Sequence, residues 1–227
     1  MKTIAGAVLL TITVLPTAAY AQTAERFDTY NWKYVDRTST PVKMYTYFPD
    51  KCRPALARAV ATINAVNSKF RMNHSATTTS PNNLESSNDS DLVVTYASGI
   101  DDPNDTNDTL AVAPPVRSPK STASAYGPGY LVSDTDVKVD YANLFYVSST
   151  TQSAGDFFCP SAGGQAVEAG KIDFETVVLH ELLHDFGLTH FTASGCVMRA
   201  MAPARGSSQR TLCSSERLQV QNLYGTL

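Results

Sequence analysis

The sequence predicts an α+β fold. Two observations carry that expectation. Short alternating apolar segments and a single helical stripe fill the first part of the chain, separated by polar loops, and two further helix-period patterns occupy the last quarter. No internal repeat breaks this order, and the length suits one domain with a sizeable core.

Each element has its own signature. Pro41 to Phe48 alternates, with Val42, Met44, Tyr45 and Tyr47, and reads as a strand. From Pro54 to Phe70 the period lengthens. Leu56, Val60, Ile63 and Phe70 share one stripe, with Pro54 at a tolerated first-turn position. Residues 73–91 are rich in Ser, Thr and Asn and read as a polar loop. Asp91 to Tyr96 is the next strand, bounded by Gly99. The polar stretch Asp101 to Asp108 leads into Thr109 to Ala113, a short apolar strand ended by Pro114-Pro115. Tyr130 to Val139 is a further strand, strongest where Val137 and Val139 flank Lys138, and 148–170 is loop-like. Asp173 then opens the clearest helix, able to cap it and to complement its dipole. Phe174, Val177, Val178, Leu179, Leu182, Leu183 and Phe186 follow, and Gly187 ends the run. A last helix covers about Ser215 to Tyr224, with Val220, Leu223 and Tyr224 as its buried face and Gly225 as its stop.

The N-terminus reads as an export signal. Lys2 precedes an apolar run from Ile4 to Leu15, Pro16 breaks it, and Ala19-Tyr20-Ala21 offers a small-x-small cleavage site. A membrane-spanning helix needs about 20 apolar residues, and no run reaches that length. Residues 1–21 are thus a signal peptide and the chain is secreted or periplasmic, with no membrane span. Without Lys2, 17 basic side chains face 21 acidic ones, a net charge of −4. That balance, with no run of Lys or Arg, argues against nucleic acid or an anionic membrane as partner. Cys52, Cys159, Cys196 and Cys213 read as two disulfides in an exported chain. Three pairings are open; the short separation favours Cys196 with Cys213, leaving Cys52 with Cys159. Their spacing lacks the paired thiolates of a zinc ribbon.

The chemistry concentrates in His180-Glu-Leu-Leu-His184-Asp-Phe-Gly187-Leu-Thr-His190, which satisfies H-E-x-x-H-x-x-G-x-x-H. His180 and His184, four apart on a helix, stand on one face one turn apart. Both nitrogens can reach one zinc ion at about 2.0–2.1 Å. A straight helix cannot supply a third ligand ten residues on. Gly187 permits the sharp change of direction that returns His190 to the metal. Three protein ligands leave one position open, as in catalytic zinc sites. Glu181 stands beside the metal, placed to take a proton from a zinc-activated water and pass it to the leaving amine. Three of the chain's four histidines lie in this segment.

With these residues the sequence resembles the metzincin clan of zinc peptidases, and within it the matrixins. Asp173 to His180 (DFETVVLH) looks like the matrixin approach to the zinc helix. Cys196-Val-Met198 resembles the Met-turn, with Met198 eight residues after the third histidine. Thr109 to Pro114 (TLAVAP) resembles the edge strand that pairs with substrate, and Ser215 to Gly225 resembles the C-terminal helix. The likeness covers roughly 42–225. It implies a two-lobed catalytic domain with a twisted mixed sheet, an active-site helix, a Met-turn and a C-terminal helix. Residues 40–227 would form it, the upper lobe running to about 187 and the lower lobe over 188–227. Residues 22–39 form an N-terminal segment, open to being a short pro-segment. The resemblance also implies a zinc endopeptidase acting on proteins or peptides, substrate backbone laid along Leu110, Ala111, Val112 and Ala113, and Met198 as an apolar floor. A monomer is expected. Arg199-Ala200 replaces the usual Tyr-Pro after the turn methionine, so the specificity pocket is unlike the family's. With His74 the lone histidine outside the motif, one zinc is expected, and no cysteine-switch motif precedes Cys52.

Weaker features take ordinary readings. His74 is read as solvent-exposed in a polar loop. Asp101 to Asp108 carries enough carboxylates for calcium, but without the EF-hand spacing it is more simply a solvated loop. Asn73, Asn88, Asn104 and Asn107 begin N-x-[ST] sequons. Arg199 is read as a surface arginine. Two competing functions stand beside the peptidase: a secreted binding protein or adhesin on the same fold, and a zinc hydrolase of a non-peptide amide.

Overall fold

A computed structural model describes residues 32–34, 39–45, 50–78, 92–97, 110–113, 115–119, 130–135, 137–140, 146–147, 152–153, 157–200 and 202–227. The signal peptide expected over 1–21, the Asp101 to Asp108 stretch and the sequons at Asn88, Asn104 and Asn107 lie outside the described residues. Among the described residues, no helix is long and apolar enough to cross a membrane.

A five-stranded mixed sheet forms the frame. Its strands are β2 (Ser39–Tyr45), β3 (Arg71–Thr78), β4 (Leu92–Ala97), β5 (Ala111–Val112) and β8 (Val137–Asp140), in the order β3-β2-β4-β8-β5. The first four run parallel, and β5 alone runs antiparallel, on β8. Register sets Val94 opposite Val137 and Ala111 opposite Val139. Leu92, Val94, Val137 and Val139 are fully buried, so alternate residues of β4 and β8 meet the core. A second sheet joins β1 (Trp32–Tyr34), β6 (Pro115–Pro119) and β7 (Tyr130–Thr135) in the order β1-β7-β6. The two-stranded pairs are β9 (Tyr146–Val147) with β10 (Gln152–Ser153), and β11 (Phe157–Phe158) with β12 (Ile172–Asp173).

Two helices pack together over the core. Helix α1 (Arg53–Asn64) buries Ala55, Leu56, Ala59, Val60 and Ile63. Helix α2 (Phe174–Asp185) buries ten of its residues, including Phe174, Val178, Leu179, Leu182 and Leu183. A helix buried on nearly every side, polar residues included, sits in the middle of the fold. Helix α3 (Ser214–Tyr224) covers the far side: Val220 is fully buried, and the Tyr224 ring stacks against Phe70 and Phe186 at 4.9 and 5.1 Å. Both disulfides, Cys52–Cys159 and Cys196–Cys213, are formed.

Three sequence expectations need correction. The helix expected over Pro54 to Phe70 stops at Asn64. There the Asn64 amide clasps the Met72 backbone twice, Nδ2 donating to its carbonyl at 2.6 Å and Oδ1 accepting from its N–H at 2.9 Å. A side chain that satisfies a neighbouring strand's backbone ends a helix as firmly as a glycine does. The polar region from residue 73 is not all loop. Arg71–Thr78 is strand β3, because β2 supplies a ladder that outweighs its polar composition. His74 therefore sits on that strand opposite Val42, half-buried rather than exposed. Last, Tyr130 to Val139 is two strands, β7 and β8, belonging to different sheets.

Candidate active site

The site is built on α2 and the chain that follows it. Asp173 caps the helix, its Oδ2 accepting from the Thr176 N–H at 3.0 Å. The same carboxylate receives Arg210, Nη2 to Oδ1 at 2.6 Å and Nε to Oδ2 at 2.8 Å. Glu175, one step along, is bridged by Arg58 of α1 at 2.8 Å. Burial raises the Glu175 pKa, and the Arg58 guanidinium opposes the rise. The start of the histidine helix is thus pinned to α1 and to the 205–211 segment by charge-assisted bonds.

At its other end the helix stops on a glycine. Gly187 has φ +91°, its N–H bonds the His184 carbonyl at 2.8 Å, and the Leu188 N–H bonds the Leu183 carbonyl at 3.0 Å. This pair of bonds is the Schellman closure. It also delivers the Leu188 carbonyl to His184, whose Nδ1 donates to it at 2.8 Å. One turn back, His180 Nδ1 donates to the Val197 carbonyl at 2.8 Å.

Those two bonds decide the tautomers. A carbonyl oxygen can only accept, so both Nδ1 atoms carry hydrogen and both Nε2 atoms present bare lone pairs. Yet His184 Nε2 lies 3.1 Å from His180 Nε2 and 3.2 Å from His190 Nε2. The facing lone pairs of His180 and His184, 3.1 Å apart, repel unless they share a cation. A proton does not serve at neutral pH, because burial lowers the pKa to about 4 at His180 and about 3 at His184. Two ligands about 2.05 Å from a tetrahedral zinc stand about 3.3 Å apart, close to both spacings. The three imidazoles, grouped within 4.8 Å, fit zinc.

Glu181 follows His180 on α2 and is 6% exposed. Burial pushes its carboxyl up to about 8, and a dication beside it would draw that value back down. Met198 is fully buried; its carbonyl accepts from the Phe191 N–H at 2.6 Å, tying it to the chain just past His190. Arg199 is exposed, as its reading from sequence had it. Ala111 and Val112 form β5, the outer strand of the main sheet on the α2 side, with Leu110 and Ala113 packed partly into the core.

Glu216 was missed by sequence reasoning. It has no exposed surface, and its Oε1 accepts from the Met198 N–H at 2.6 Å while Oε2 accepts from the Cys213 N–H at 2.8 Å. The signal available was its place three residues after Cys213, the N3 spacing of a capping box. The Arg210–Asp173 pair was missed as well, and nothing local in the sequence announces it.

A histidine triad on a capped helix and the turn beyond it, set beside a mixed sheet with one antiparallel edge strand, is the arrangement of the metzincin metallopeptidases. Residues 42–225 match the family model described as Matrixin, and the chain belongs to the matrixin family of metallopeptidases. No curated protein matches the chain significantly.

Proposed function

We propose that this chain is a secreted zinc endopeptidase in which His180, His184 and His190 hold the metal and Glu181 is the general base. Bare Nε2 lone pairs facing each other on His180 and His184, with Glu181 buried on the same helix, carry the reading, and membership of a metallopeptidase family supports it. Zinc in that place supplies Lewis acidity, polarising a peptide carbonyl and acidifying water. The Glu181 carboxylate takes the proton from the attacking water and returns it to the leaving nitrogen. Leu110 to Ala113 receive an extended substrate by antiparallel pairing to β5, the outermost strand of the sheet among the described residues. Met198 acts as an apolar floor below the histidines rather than as a ligand. Residues 1–21 serve as the export signal and 40–227 as the catalytic domain; the two disulfides accord with an oxidising compartment.

The test is casein zymography with and without a zinc chelator, together with Glu181→Ala. Cleavage that the chelator abolishes, and a variant that keeps zinc and fold but loses about 10²-fold or more in rate, are the expected results. Wild-type turnover by the variant would sink the mechanism. A zinc-loaded wild type that cleaves no protein or peptide would favour a binding protein or a non-peptide amidase.

A further inference from the structure

The segment Cys196-Val197-Met198 is fastened from the side opposite the histidines. Cys196 is bridged to Cys213, the residue before α3. Glu216, in the first turn of α3, holds the Met198 N–H at 2.6 Å and the Cys213 N–H at 2.8 Å. The carbonyl of Val197 in turn accepts from His180 Nδ1 at 2.8 Å. The Val197 C=O and the Met198 N–H belong to one amide, which is planar and here trans. In a trans amide these two groups point in opposite directions. Fixing the N–H on one edge therefore aims the carbonyl on the other.

We infer that Glu216 is a positioning residue for the metal, acting on His180 through the Val197–Met198 peptide plane; this rests on the zinc reading given above. The relay has two physical parts. The geometric part sets the His180 ring, since a ligand imidazole takes its orientation from the partner of its second nitrogen. The electronic part comes from the buried carboxylate, which polarises the amide, strengthens its carbonyl as an acceptor and so raises the donor strength of Nε2. The Cys196–Cys213 bridge supports the same turn but cannot replace the carboxylate, because it holds the chain before Val197 and not the amide after it.

The substitution Glu216→Gln keeps the side chain's size, removes the charge and points an N–H₂ at one of the backbone donors. Zinc affinity, measured by equilibrium competition with a chelating dye, should fall about 10- to 100-fold. The d–d absorption of the cobalt-loaded variant should shift from wild type, and zinc-free melting temperatures give the purely structural loss separately. If Glu216→Gln does not fold, Glu216→Asp, one methylene too short to reach both donors, carries the same two readouts. A folded variant with wild-type zinc affinity and an unchanged cobalt spectrum overturns the inference, whatever its loss of stability. Failure of the underlying reading looks different: the wild-type chain itself then takes up no zinc, and the inference falls with it.

Discussion

Arg210 and Asp173 meet in a two-pronged ion pair, at 2.6 and 2.8 Å, across 37 residues of chain. Asp173 is 2% exposed, and its carboxylate is satisfied there by the guanidinium together with the Thr176 N–H and hydroxyl. Arg210→Ala strands that carboxylate and should cost about 3 kcal/mol, read as a lower urea midpoint. Removing both charges together, as Asp173→Asn with Arg210→Met, should recover part of the loss, since Asn still caps the helix. A double variant no more stable than Arg210→Ala would show that the pair's charge is not what holds the segment.

Gly187 has a double duty that alanine cannot meet. At φ +91° a Cβ adds about 1–2 kcal/mol of strain, and relaxing it would move both the Leu188 carbonyl behind His184 and the path to His190. Gly187→Ala should therefore lower zinc affinity more than about 10-fold while reducing zinc-free stability only modestly. Dye competition and thermal melts of the chelated protein separate the two. Unchanged affinity would mean the turn does not set the ligand geometry.

Acid should destabilise the zinc-free protein through its histidines. The folded pKa falls to about 4 at His180 and about 3 at His184, against 6.5 ordinarily. Below pH 6.5 the unfolded chain therefore binds protons that the fold refuses. The associated stability is complete above that pH and is lost as pH falls toward 4 and then 3, at up to about 1.4 kcal/mol per pH unit for each proton. Glu181, pushed up to about 8 in the fold, opposes the histidines over the same range, so their contribution is read from pH 7 to pH 5 as the difference in urea-midpoint slope between chelated wild type and a histidine variant. In His184→Gln the slope should be shallower by about one proton, and an equal slope would contradict the account.

The Cys52–Cys159 bridge closes a separation of 107 residues at the start of α1. Cys159 follows β11, whose partner β12 runs directly into α2, so the bridge ties the origins of both core helices. On loop entropy alone, Cys52→Ala with Cys159→Ala should cost about 5 kcal/mol, measured as a drop in urea midpoint. A change under about 1 kcal/mol would mean that packing of Leu56, Phe157 and Phe174 already holds this corner.

The motif behind the proposed chemistry was legible in the sequence. Spacing of His180, Glu181, His184, Gly187 and His190 is a local property of one helix and one turn, so it is legible wherever the helical period is. The same holds for the ends of α2 and α3, written in Asp173, Gly187 and Gly225. Features that depend on chain segments far apart were not legible there. The β3 strand forms because β2 lies beside it, against its own polar composition. Val197 and Leu188 orient two ligands through backbone carbonyls, which carry no residue identity to read. Glu216 and Arg210 act across folded distance, on Met198 and Asp173. The three histidines proposed to hold the metal follow from period and side-chain type; the aim of His180 and of His184 follows from which backbone carbonyls the fold brings behind them.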